Sequence, residues 1–234
     1  CDAVCSVSPK VASFHFGLPD ATLINQLKAE GIKILSSATS VKEALWLEEN
    51  GADAIIAQGF EAGGHSGWFL PRNGADLTGT MALVPRVVDA VSVPVIAAGG
   101  IADGRGIAAS LMLGASGVQI GTAFVTTPES CANAVYKNSL LDASGDDTMY
   151  SRAFSGRLAR TVVNEYANSM ESVKDLPDFP IMNTITAPIK NASLEKDKPD
   201  AVALWSGQAA GLNRNTTTEN LIFTLVKETR DRLK

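Results

Sequence analysis

Pro94-Val95-Ile96-Ala97-Ala98-Gly99-Gly100-Ile101-Ala102-Asp103-Gly104 and Gly117-Val118-Gln119-Ile120-Gly121-Thr122-Ala123 decide how this chain folds. Each is a short apolar run that ends in glycine, and Asp103 to Leu113 between them reads as a helix closed by Gly114. The same unit recurs upstream. Ala54 to Gln58 is a strand, and a long glycine-rich loop from Gly59 to Gly79 leads from it to a helix carrying Leu83, Val84, Val87, Val88 and Val91. Ile32 to Ser37 is a strand, followed by a helix that Ser40 caps with Glu43 completing a capping box, and that stops at Gly51. Val11 to Phe16 is a strand, followed by a helix from Pro19 to Glu30, and Cys1 to Pro9 is a mixed stretch able to pair with an earlier strand. Downstream, a helix is expected to begin near Pro128. Beyond about residue 145 the pattern reads as irregular loops and helices, ending in an amphipathic helix from Thr218 to Leu233.

Short apolar strands separated by single amphipathic helices imply a parallel sheet, because each crossover needs a helix. The fold class is α/β, and the repeat fits a (β/α)8 TIM barrel. An open doubly wound sheet is the alternative, but it places its glycine-rich turn after the first strand. Here the glycine signals follow the third, fourth and fifth strands. Five strands are readable where a closed barrel needs eight, so the expectation is a barrel lacking its first three strands. The strands at Ser13 and Val118 should then form open edges.

The 234 residues are 45% hydrophobic and 19% charged, with a net charge of −5. That excludes disorder as the main state and argues against a general nucleic-acid binder. No run approaches a membrane span. Three scattered cysteines, Cys1, Cys5 and Cys131, make no disulfide framework, so a cytoplasmic setting is expected.

Barrel active sites lie on the loops after the strands' C-terminal ends. Gly99-Gly100 and Gly121-Thr122 fall in the last two units, where backbone N–H groups and a helix N-terminus can hold a phosphate. Arg105 is the one basic residue in these loops, so a backbone-held monophosphate fits better than a highly charged ligand. The only two histidines, His15 and His65, also fall at strand ends, where an imidazole can exchange a proton near neutral pH. A hydrogen-bonded structural role is the plainer reading of a lone histidine, but the glycines around His65 favour function there. Glu61 reads as a solvated or N–H-capping carboxylate, and no metal motif is present.

Ala57-Gln58-Gly59-Phe60-Glu61-Ala62-Gly63-Gly64-His65, the two stretches quoted first, Ser13-Phe14-His15-Phe16-Gly17-Leu18-Pro19, and Phe154-Ser155-Gly156-Arg157-Leu158-Ala159-Arg160 together resemble the nitronate monooxygenase family, formerly 2-nitropropane dioxygenases. The resemblance runs from Ser13 to Leu225. It implies an FMN-dependent flavoprotein that oxidises alkyl nitronates with O2 to carbonyl compounds and nitrite or nitrate; the charge and hydropathy above leave neither nucleic acid nor membrane as an expected partner. By the same resemblance Gln58 and Gly63 contact FMN, Gly100 meets its phosphate, and the stretch Gln119, Ile120, Gly121 and Thr122 makes the other phosphate contact; Gly64 and Gly99 beside them are expected to bind the cofactor too. His65 matches the active-site histidine and His15 a second one near the substrate. Residues 1–144 are then the C-terminal portion of an FMN-binding barrel, and 145–234 a loop and helix segment packing on it and covering the active site. Two departures are Ser66, where many members have Arg, and Thr161, where many have Gly. The family's N-terminal part, with a further FMN-contacting asparagine, is not in this chain. Neighbouring families, FMN-dependent enoyl-acyl-carrier-protein and quinone reductases, share the Glu-Ala-Gly-Gly-His signal, and an inactive flavin-binding fragment is the reading from another class. Gln58, His15-Phe16-Gly17 and Ser155-Gly156-Arg157 favour the nitronate reading.

Overall fold

A computed structural model describes residues 2–71 and 77–234; Cys1 and residues 72–76 of the glycine-rich loop lie outside the described residues. In chain order the elements are α1 (Asp2–Val7), β1 (Val11–Phe14), α2 (Ala21–Ala29), β2 (Lys33–Ala38), α3 (Val41–Glu49), β3 (Ala54–Gln58), β4 (Gly64–His65), α4 (Thr80–Val88), β5 (Val95–Ala98), α5 (Gly104–Met112) and β6 (Gly117–Gln119). They continue with α6 (Thr122–Val125), α7 (Ala134–Asp142), β7 (Thr148–Ser151), β8 (Ala159–Val162), α8 (Glu165–Ser169), α9 (Ile181–Leu194) and α10 (Thr218–Arg232). They divide between two compact units. The first is Cys1–Phe60, Gly67–Ala98 and Ala109–Gln119; the second is Glu61–Ser66, Gly99–Ala108 and Ile120–Lys234.

The first unit is built on a parallel sheet of order β1-β2-β3-β5-β6. Parallel neighbours that follow one another along the chain are the order of a (β/α)8 barrel wall; a doubly wound sheet would reverse direction. Central β3 is covered on both faces, which is why Ala54 to Ala57 is an unbroken apolar run, with Ile55 and Ile56 at 0% and 1% exposure. Leu83, Val84 and Val87 of α4 and Leu47 of α3 are fully buried, each such side chain contributing about 1.5–3 kcal/mol over its exposed state. Among the described residues β1 pairs with β2 and β6 with β5 but not with each other, so these two are the sheet's edges, at the strands expected.

The second unit contains a sheet that sequence reading did not anticipate, the antiparallel β4-β8-β7. β4 is two residues inside the loop read as Gly59–Gly79, and β7 and β8 lie in the region read as loops and helices. All are short, and β8 carries Arg160 and Thr161 among its four buried positions, so it shows neither an apolar run nor alternation. Three further expectations are corrected. The N-terminal stretch is helical in α1, not extended. The helix placed near Pro128 is instead a single turn, α6, and then α7, whose N-cap is Asn133. Glu43 does not complete a capping box on Ser40: Ser40 Oγ accepts from Glu43 N–H, but the Glu43 carboxylate reaches one residue further back, to the N–H and hydroxyl of Thr39 at 2.8 and 2.6 Å. Its other oxygen takes the N–H groups of Phe69 and Leu70 at 2.8 and 3.3 Å. Four donors satisfy a carboxylate that is only 1% exposed.

Candidate functional site

His65 is placed by backbone pairing: β4 lies antiparallel to β8, with His65 opposite Ala159 and Gly64 opposite Arg160. Gly64 has φ +74°, a conformation that costs a side chain strain. The imidazole Nε2 lies 2.8 Å from the hydroxyl of Ser155, which is fully buried in the turn between β7 and β8. Two aromatic rings clamp it: Phe179 edge-on at 5.4 Å and Trp205 tilted at 5.3 Å, with Phe154 edge-on against Trp205 at 5.7 Å. Gly156, at φ +82°, leaves room for the backbone of Pro177 to Phe179 to pass. Trp205 is held in turn. It bridges Thr161, Ser206 N–H donates to Arg160 O at 3.3 Å, and the half-buried Tyr136 hydroxyl donates to its carbonyl at 2.6 Å. Burial pushes the Tyr136 phenol well above its usual range.

The glycines of the second unit have distinct reasons. A Cβ on Gly63 would lie 2.5 Å from Gly207 N and 2.6 Å from Ser206 C, so close passage of the 206–207 backbone accounts for it. Gly207 N–H donates to Thr122 Oγ1 at 3.0 Å and Gln208 N–H to Glu61 O at 2.9 Å, which joins the Gly63 loop to the start of α6. Gly99 and Gly100 have φ of +104° and +71°, and a Cβ on Gly100 would lie 3.1 Å from Glu61 Cβ. Gly121 has ordinary φ and open space where a Cβ would stand. Among the described residues no acceptor takes the N–H of Gly100, Gly121 or Thr122. Ile120 packs its side chain with Ala102, Ala123, Leu221 and Leu225 and offers only its backbone.

The first turn of α5 is committed internally. Asp103 Oδ1 accepts from the N–H groups of Arg105 and Gly106 at 3.0 and 3.1 Å, and Glu228 Oε2 accepts from Gly104 N–H at 3.0 Å. Burial alone would raise the Asp103 pKa; the Arg105 guanidinium and those two amides outweigh it and hold the carboxyl below its ordinary value. The Gly104 amide, with Arg214, lowers Glu228 likewise. The α5 terminus therefore carries carboxylates.

In the first unit, His15 and Gln58 come together around Gly67. Gly67 N–H donates to Gln58 Oε1 at 2.7 Å, and a Cβ on Gly67 would lie 2.5 Å from His15 Cε1. A backbone donor on the amide oxygen fixes the Gln58 amide orientation. Gln119 ends β6 opposite Ala98 and is exposed.

Ser155, Phe179, Trp205 and Gly207 were missed as site residues by sequence reading. Ser155 stood in a stretch that carried the resemblance, but only its pairing with His65 gives it a role. Ser206-Gly207 was the readable turn signal beside Trp205. The two departures are accommodated: Thr161 Oγ1 accepts from Leu204 N–H at 3.1 Å, and Ser66 N–H donates to Leu158 O at 3.0 Å. Arg160 is 4% exposed, its guanidinium 4.3 Å over the Tyr150 ring and 3.2 Å from Thr148 Oγ1.

The parallel sheet has barrel order, and the second unit holds a glycine-rich, aromatic-clamped histidine; together they define a chain of the β/α-barrel class with a candidate small-molecule site. The chain belongs to the nitronate monooxygenase family, whose model matches residues 1–228. Members of this family are flavoenzymes. A probable nitronate monooxygenase of Staphylococcus aureus (strain Newman) is 44% identical over 227 residues, covering 94% of this chain and 64% of the relative. The chain thus spans somewhat less than two thirds of the curated relatives it matches. The solved structure of nitroalkane oxidase from Streptomyces ansochromogenes superposes with a TM-score of 0.93 at 37% identity, over 100% of this chain and 68% of that one. FabK from Thermotoga maritima reaches 0.82 at 33% identity, over 99% and 71%. Among the described residues no helix is long and apolar enough to cross a membrane.

Proposed function

We propose that the protein oxidises alkyl nitronates with O2, giving carbonyl compounds and nitrite or nitrate, with FMN as its flavin. The observation that carries the proposal is His65, aimed by Ser155 and clamped by Phe179 and Trp205. In this reading the neutral imidazole removes the α-proton of a nitroalkane to form the nitronate, and the aromatic rings hold it in place. FMN, when bound, supplies the two-electron acceptor and the route of those electrons to O2.

The residues fit a monophosphate. The N–H groups of Gly100, Gly121 and Thr122 would hold it, and the side-chain-free approach at Gly121 supports this. Gly99 shapes the Gly100 turn, and Ile120 contributes backbone only. Gly63 and Gly64 act by letting the 206–207 backbone pass and by turning the chain into β4. In the first unit Gln58, Gln119 and His15 are proposed for cofactor and substrate contact; for Gln58 the support is the fixed orientation of its amide, whose oxygen accepts from Gly67 N–H. A cytoplasmic setting, supported by the sparse cysteines, belongs to the same proposal.

Anaerobic mixing tests it. Flavin absorbance should bleach on adding a nitronate and stay unchanged with NADH or NADPH. Bleaching by the nicotinamide alone would favour the reductase reading, and bleaching by neither an inactive flavin binder.

A further inference from the structure

The Ser155 hydroxyl has one proton and two lone pairs, and three partners surround it. Arg157 N–H donates to it at 3.3 Å. The Arg157 carbonyl, 3.1 Å away, can only accept, so the Ser155 proton points there. One lone pair remains, and it faces His65 Nε2 at 2.8 Å. We infer that Ser155 is a positioning residue that holds neutral His65 in its Nε2–H tautomer and so designates Nδ1 as the basic nitrogen. The opposite assignment, with Ser155 donating to Nε2, would leave two oxygens 3.1 Å apart with no proton between them. The Phe179 and Trp205 rings oppose a flip of the imidazole that would exchange its nitrogens. The catalytic consequence rests on the proposed role of His65 as base; the tautomer itself does not.

The direction of this hydrogen bond has a measurable sign. A bond that Nε2–H donates survives protonation of the ring and favours the imidazolium, so removing its acceptor makes His65 less basic. A bond that Ser155 donated to Nε2 would be lost on protonation, and removing it would make His65 more basic. Among the described residues the charged groups on the elements packed here are Glu61 in the loop before β4, Arg157 and Arg160 beside β4, and Asp178 next to Phe179, paired with Arg152 at 3.5 Å. All are retained in a Ser155 variant.

The test is an NMR titration of the full-length, flavin-loaded protein labelled with 15N-histidine, with His65→Gln assigning the signals. The wild type should show a protonated Nε2 and an unprotonated Nδ1. Ser155→Ala should move the His65 titration down by about one pH unit. Ser155→Thr should keep the wild-type value, and Ser155→Val should follow Ala, which covers a poorly folding Ala variant. A protonated Nδ1 in the wild type, or a titration that rises or stays put in both Ala and Val, would overturn the inference. The acid limb of kcat/KM for a neutral nitroalkane should follow the same downward shift. If the NMR result holds and that limb does not move, the tautomer stands and the assignment of His65 as base fails.

Discussion

A nitroalkane must lose an α-proton before it can yield electrons, whereas a pre-formed nitronate need not. His65→Asn should therefore lower turnover of neutral nitroalkanes by about 10²–10⁴-fold more than that of nitronates, as loss of a general base does. Equal losses on both substrates would mean that His65 binds or orients. The glycines separate strain from ligand contact in the same way. Gly121 has ordinary φ and, among the described residues, no atom near a built Cβ, so Gly121→Ala should leave the melting temperature almost unchanged while weakening FMN binding, read by flavin fluorescence. An unaltered FMN affinity would remove Gly121 from the phosphate site. Gly100→Ala, at φ +71° and 3.1 Å from Glu61 Cβ, should lose both stability and affinity, the strain alone costing about 1–2 kcal/mol.

At the scale of elements, two carboxylate networks hold the loops that carry these residues. Glu43 ties Thr39 at the start of α3 to Phe69 and Leu70, and the Phe69 ring packs against Trp46 at 5.1 Å. Glu43→Gln turns an acceptor into a donor facing N–H groups and should cost about 2–3 kcal/mol in denaturant unfolding. A loss below about 0.5 kcal/mol would show that the network rearranges freely. Asp103 caps α5, and Asp103→Ala should cost about 0.5–2 kcal/mol at pH 7. Its folded pKa lies below the ordinary 3.8, so its contribution is fully present above that value and is lost as pH falls through the lower folded value. The gap between wild type and variant should close on acidification below pH 3.8, and a constant gap down to pH 2 would place the effect in packing instead.

For the whole molecule, the identity of the flavin follows from the number of phosphate-binding turns. One monophosphate grip, with no second glycine fingerprint and no ribose-binding acid after it, predicts that mass spectrometry of the denatured, purified protein finds FMN. A released adenine dinucleotide would sink that expectation.

The parallel sheet was legible because both of its signals are local. An apolar run such as Ala54-Ile55-Ile56-Ala57 is a strand covered on two faces, and capping residues such as Ser40 and Asp103 act within three positions of themselves. The glycine-marked strand ends were legible for the same reason, since a positive φ at Gly99 or Gly100 is a property of one residue. Tertiary structure alone decided the rest. Ser155 stands 90 positions from His65 and Trp205 140, and no periodicity couples such distances. The antiparallel β4-β8-β7 sheet had no pattern to read, because strands of two to four residues carry too few positions for an alternation to show. Glu43 looked like a capping residue because its sequence neighbours allow it, and became a loop anchor because Phe69 and Leu70 bring N–H groups that only the folded chain places within reach.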